Sequence, residues 1–141
     1  MTVVLSARYL VRLENIKRNF GGSMFVSERM SKDLTTVGPD MTIFEAKKLM
    51  VEKEIRHLPV IDAAGKLLGI VTDRDVRDAM PSTLLKKADY DITLAKIMNF
   101  PVRDIMTANP LTIYAYYTIQ DSLLVMQKKK VGALPVIDQE G

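Results

Sequence analysis

The pentapeptide Leu58-Pro59-Val60-Ile61-Asp62 occurs again, unchanged, at Leu134-Pro135-Val136-Ile137-Asp138. Working outward at that spacing, residues 26–65 lie on residues 102–141 without a gap, and about a third of the positions are identical. Met30/Met106, Thr36/Thr112, Thr42/Thr118, Ile43/Ile119 and Met50/Met126 coincide, while Glu45 faces Asp121 and Ile55 faces Val131. A repeat of this length marks one supersecondary unit that cannot bury its apolar face by itself.

Each copy parses alike. Thr42 followed by Glu45 reads as a capping box, in which hydroxyl and carboxylate satisfy the first free N–H groups of a helix. Ile43, Ala46, Leu49 and Met50 then share one helical face, as Ile119, Leu123 and Met126 do in the second copy. The run Leu58–Asp62, turn material around Gly65 and the run Leu67–Thr72 predict a hairpin. Residues 73–80 predict a second helix, stopped by Pro81. With a short strand at Thr35-Thr36-Val37, the unit is strand, helix, strand, strand, helix. Such a three-stranded sheet is too small to close its own core, so the two units are expected to pack together.

The fold class is therefore α+β, two pseudo-symmetric β-α-β-β-α repeats. Residues 1–23 read as an N-terminal extension, non-native or disordered; 24–80 as repeat 1; 81–99 as a linker with a helix; and 100–141 as an incomplete repeat 2. Gly141 falls opposite Gly65, so the counterparts of Lys66–Met80 do not follow in this sequence. That predicts a second sheet truncated at its C-terminus, with an exposed, unpaired edge.

Composition narrows the function classes. There are no cysteines and a single histidine, His57, which leaves no disulfide framework, thiolate chemistry or zinc set. No apolar run approaches the roughly 18 residues of a membrane span, and Arg8 and Arg12 interrupt any signal-peptide core. The net charge of +3 sits wholly within residues 1–23, and from Met24 onward 16 basic residues balance 16 acidic ones. A folded part with no excess positive charge argues against nucleic acid. No nucleophile–base pair, Gly-rich phosphate loop or carboxylate constellation points to an enzyme or a catalytic residue. A cytoplasmic location is the default.

Taken together, the Met-x-x-x-x-x-Thr-Val/Ile starts at Met30 and Met106, the two LPVID runs, and GIVTDRDV at 69–76 resemble the cystathionine-β-synthase-type (CBS) domain family, as a tandem pair covering residues 24–141. MFVSERM and VRDIMT further resemble pairs of acetoin-utilisation-regulator type. The resemblance implies a regulatory module, dimerising as such pairs do. It would bind an adenosyl ligand (AMP, ADP, ATP or S-adenosylmethionine) in the cleft between repeats, with no catalytic cofactor and no metal. The alternative is a dimerisation or interaction module with no bound ligand.

In this family the stretch Gly69-Ile70-Val71-Thr72-Asp73-Arg74-Asp75 lines the adenosine site. Thr72 would stand at a helix N-terminus, where free N–H groups favour phosphate. Asp75 would accept from the two ribose hydroxyls. The adenine would lie near Thr36, Val37 and Val60, with Gly69 leaving room for a ring. Thr72 and Asp75 are also a sufficient helix cap without any ligand. Arg56 and His57 are expected to reach phosphates in the partner repeat's site, whereas their counterparts Gly132 and Ala133 offer backbone only. His57 reads equally well as a half-buried histidine at a strand edge.

Overall fold

The computed structural model describes Val3–Ser6 and residues 24–137. The chain forms two compact units, and their boundaries cut across the sequence repeats. One unit is residues 35–109; the other joins residues up to 34 with those from 110 onward.

In the 35–109 unit, helix α1 spans Ile43–Glu52. Its capping box is formed: Thr42 accepts from the Glu45 N–H, and the Glu45 carboxylate accepts from the Thr42 N–H and hydroxyl at 2.9 and 2.8 Å. Strands β2 (His57–Ile61) and β3 (Leu67–Thr72) make the expected antiparallel hairpin, pairing His57 with Thr72 and Val60 with Gly69. Helix α2 (Asp73–Asp78) follows directly, and helix α3 spans Lys87–Met98. Strand β4 (Thr107–Ala108) adds to β3. The strand expected at Thr35–Val37 contracts to one parallel bridge between Val37 and Val60.

A proline in a paired strand normally breaks the ladder. Here the Val37 N–H donates to the Pro59 carbonyl at 3.0 Å and the Ile61 N–H to the Val37 carbonyl at 2.9 Å. Pro59 thus turns its polar edge toward Val37 and away from β3. Antiparallel alternation then makes Leu58↔Val71 and Val60↔Gly69 the hydrogen-bonded pairs, where no proline stands. The same alternation places Leu58, Val60 and Val71 against the helices. They pack there with Val37, Ile43, Ala46, Met50, Val76 and Val102.

The other unit repeats the plan with strands β5 (Ile113–Tyr114) and β6 (Ala133–Ile137) and helix α4 (Ile119–Lys129). Its core is Val26, Ile113, Ile119, Met126, Leu134 and Val136. Ser122 replaces Ala46 at a fully buried position and satisfies its hydroxyl on the Thr118 carbonyl at 2.9 Å. The edge expected to be unpaired is not. Strand β1 (Val3–Ser6) pairs antiparallel with β6, Val3 opposite Val136 and Ser6 opposite Ala133. The rest of the extension assigned to residues 1–23 lies outside the described residues.

Each unit borrows its opening segment from the other repeat. The 3-10 turn Val26–Glu28 docks on the second-repeat core, with the Val26 N–H on the Tyr117 carbonyl at 2.8 Å and the Ile119 N–H on the Met24 carbonyl at 2.9 Å. The turn Val102–Asp104 docks on the first-repeat core by the equivalent bonds, Val102 N–H to Met41 carbonyl at 2.7 Å and Ile43 N–H to Phe100 carbonyl at 2.8 Å. Val26 and Val102 are both fully buried.

Candidate functional site

The predicted site residues all fall in the 35–109 unit. His57 opens β2, Thr72 closes β3, and the two are cross-strand partners at the same end of the sheet. Arg56 precedes His57, and its carbonyl accepts the Asp73 N–H at 3.0 Å, which ties the start of α2 to the start of β2. Asp75 lies in the first turn of α2.

Thr72 caps α2. Its hydroxyl accepts from the Asp75 N–H at 3.2 Å, and Asp75 Oδ2 accepts the Thr72 N–H at 2.8 Å and hydroxyl at 2.7 Å. The capping reading of this pair is therefore realised. It does not use up the carboxylate: every hydrogen bond of Asp75 among the described residues falls on Oδ2, which leaves Oδ1 for another donor.

His57 is half-buried, and burial holds its imidazole below the ordinary histidine pKa. The negative charges of Asp73 and Asp75 push it up and the Arg56 charge pushes it down, each less than burial. Asp73 is itself paired with Arg77 at 2.7 Å. The Arg56 side chain is exposed. Among the described residues, this end of the sheet gathers an exposed guanidinium, an imidazole, a hydroxyl and a carboxylate with a spare oxygen.

The alternation along the strands separates the remaining candidates. Val37 and Val60 are buried at 3% and 0% exposure among the core side chains, so what they can present to a ligand is backbone. Thr36, half-buried, falls on the opposite face with Pro59 and Ile70. Ile70 and Asp73 were named only within the stretch 69–75, and Pro59 was not picked out as a site residue, although the period-2 pattern of His57–Ile61 groups it with His57. The space over Gly69 is also not open to a ring. A Cβ there would lie 2.5 Å from Met106 Sδ and 2.9 Å from the Thr107 carbonyl oxygen. Gly69 admits the chain's own β4 segment.

Other features singled out in the sequence have partners of their own. Arg74 is exposed and pairs with Asp78 at 3.8 Å. Tyr114 and Tyr116 stack at 5.3 Å in the other unit, with Tyr117 edge-on to both. Among the described residues no cluster of histidine, aspartate and glutamate could hold a metal, and no helix is long and apolar enough to cross a membrane.

The sequence profile of the CBS domain matches residues 26–82 and 102–141. A CBS domain-containing protein of Dictyostelium discoideum is 38% identical, over 84% of this chain and 81% of its own length. Several longer curated relatives are enzymes, among them homoserine O-acetyltransferases and inosine-5'-monophosphate dehydrogenases, and the chain spans only 18–25% of their length. Among solved structures, CBSX2 of Arabidopsis thaliana in complex with AMP is 28% identical, with a TM-score of 0.68 over 84% of both chains. The CBS domain pair of protein MJ0100, in complex with 5'-methylthioadenosine and S-adenosyl-L-methionine, is 26% identical, with a TM-score of 0.68 over 84% of this chain and 83% of that one. The acetoin utilization protein AcuB from Vibrio cholerae is 30% identical, with a TM-score of 0.68 over 84% and 79%.

Proposed function

The chain belongs to the CBS domain family, as a tandem pair, and on that premise we propose that it is a non-enzymatic regulatory module that binds an adenine nucleotide or related adenosyl compound where His57 and Thr72 meet. The observation that carries this reading is the Asp75 carboxylate, which caps α2 through Oδ2, makes no hydrogen bond through Oδ1 among the described residues, and lies one turn beyond Thr72, the cross-strand partner of His57. Asp75 Oδ1 accepts from the ribose hydroxyls, the first-turn N–H groups of α2 and the Arg56 guanidinium meet phosphate, and Thr36 lies toward the base, over the backbone of Val37 and Val60. A regulatory effect requires that the ligand favour one state of the chain over another. Relatives solved with AMP and with S-adenosyl-L-methionine support the ligand class. A cytoplasmic location is part of this reading.

The test is thermal unfolding with AMP, ADP, ATP and S-adenosylmethionine at millimolar concentration. A ligand present at 100 times its Kd stabilises by about 2.7 kcal/mol, enough to raise the Tm by several degrees. Absence of a shift with all four would overturn the reading.

A second reading, an interaction module that works as a homodimer, has its own support. Helix α3 buries no residue completely, and Phe44, Leu84, Ile92 and Phe100 are all more than half exposed. Sedimentation equilibrium without ligand tests it, and a monomer at tens of micromolar would rule it out.

A further inference from the structure

We propose that the N-terminal segment is an integral part of the second unit, donated in cis to the position that β3 holds in the first. The register carries this. In the first unit β2 pairs antiparallel with β3 through His57↔Thr72, Leu58↔Val71, Pro59↔Ile70 and Val60↔Gly69. In the second, β6 pairs antiparallel with β1 through Ala133↔Ser6, Leu134↔Leu5, Pro135↔Val4 and Val136↔Val3. The positions correspond one for one through the repeat, so Val3-Val4-Leu5-Ser6 stands where Gly69-Ile70-Val71-Thr72 stands. The far edges correspond too, since Ile113 pairs in parallel with Val136 as Val37 does with Val60.

The sequences agree with the register. Val4, Leu5, Ser6, Arg8 and Leu10 match Ile70, Val71, Thr72, Arg74 and Val76 in type or identity. A strand laid on an apolar edge by chance would have no reason to continue the match past the pairing. Hydroxyl-bearing residues accordingly occupy the same two places in both sheets, Thr36 and Thr72 in one, Thr112 and Ser6 in the other. Three residues beyond Ser6 the sequence has Tyr9, where three beyond Thr72 it has Asp75. In sequence, the donated segment thus carries the hydroxyl with a tyrosine in the acid's place. This inference stands on register alone and does not depend on ligand binding.

The proline supplies the test. Pro135 opposes Val4, as Pro59 opposes Ile70, so Val4 is at a non-hydrogen-bonded position and Leu5, opposite Leu134, at a bonded one. Leu5→Pro removes a ladder N–H; Val4→Pro, at an edge strand with its N–H turned outward, does not. Amide hydrogen exchange is followed in the full-length chain. The Leu134 and Val136 amides are expected to be slow in the parent, about tenfold or more faster in Leu5→Pro, and within about threefold of the parent in Val4→Pro. The Leu58 and Val60 amides report on the other unit and stay slow in all three. Unchanged protection of Leu134 and Val136 in Leu5→Pro overturns the proposal. So does protection that rises with protein concentration, which would mean that the strand comes from a second copy.

Discussion

Replacing Asp75 by alanine separates the two roles of its carboxylate. As a cap, it holds the Thr72 N–H and hydroxyl at 2.8 and 2.7 Å. The pair is half-buried and α2 is only six residues long, so the loss belongs near the upper part of the range for cap removal, about 1–2 kcal/mol. As a ribose acceptor it makes charge-assisted bonds through Oδ1; one such bond is worth about 1.5–3 kcal/mol, so its loss weakens Kd for the adenosyl ligand by about tenfold to a hundredfold, and loss of a second by more. The chain contains its own control. Glu45 caps α1 with the same three bonds, at 2.9, 2.8 and 3.2 Å. Glu45→Ala therefore removes an equivalent cap on an exposed helix end that is not part of the site. Isothermal titration at 25 °C, with urea unfolding of each ligand-free variant, reads both effects. Asp75→Ala is expected to lose affinity and stability, Glu45→Ala some stability and no affinity. Equal binding by Asp75→Ala and the parent, or equal loss of binding by the two variants, would refute the ribose assignment.

Burial lowers the His57 pKa in the folded chain. The unfolded state then binds more protons below the ordinary histidine pKa of about 6.5. Stability attributable to His57 is present above that pH and falls as the pH drops toward the folded pKa. His57→Gln should flatten the pH dependence of urea unfolding in that window, and an unchanged profile would contradict it. Gly69→Ala drives a Cβ against Met106 and the Thr107 carbonyl, and should destabilise by about 1–3 kcal/mol in urea unfolding. Met106→Ala should restore only part of this, because the carbonyl stays. The left-handed residues Glu54 and Lys130, both at φ 54°, end α1 and α4 with the Ile55 and Val131 N–H groups on the Met50 and Met126 carbonyls. Lys130→Gly should stabilise by about 0.5–1 kcal/mol, seen as a rise in Tm.

Local pattern was enough to find both capping boxes, the hairpin, and the residues that gather at its open end. The pairing of His57 with Thr72 follows from strand length and a short turn, and needs no distant contact. What escaped was set by distant contacts or by face. Thr36 and Val37 were grouped as one lining for the base, although successive positions along a strand point to opposite faces. Gly69 was read as space for a ligand because nothing nearby in sequence shows that Met106 fills it. The terminal edge was read as open because β1, which covers it, lies more than a hundred residues away and shares only a short, type-level likeness with β3. Left-handed Glu54 and Lys130 hid the helix ends that glycine would have announced.

Val26 and Val102 each complete a core built mainly by the other repeat. Half of this chain, produced alone, would have a vacancy where the other's valine belongs and a valine with no home. Only another copy of itself could meet both needs. A single-repeat ancestor is thus expected to have lived as an obligate pair trading arms, and gene duplication with fusion made that trade internal.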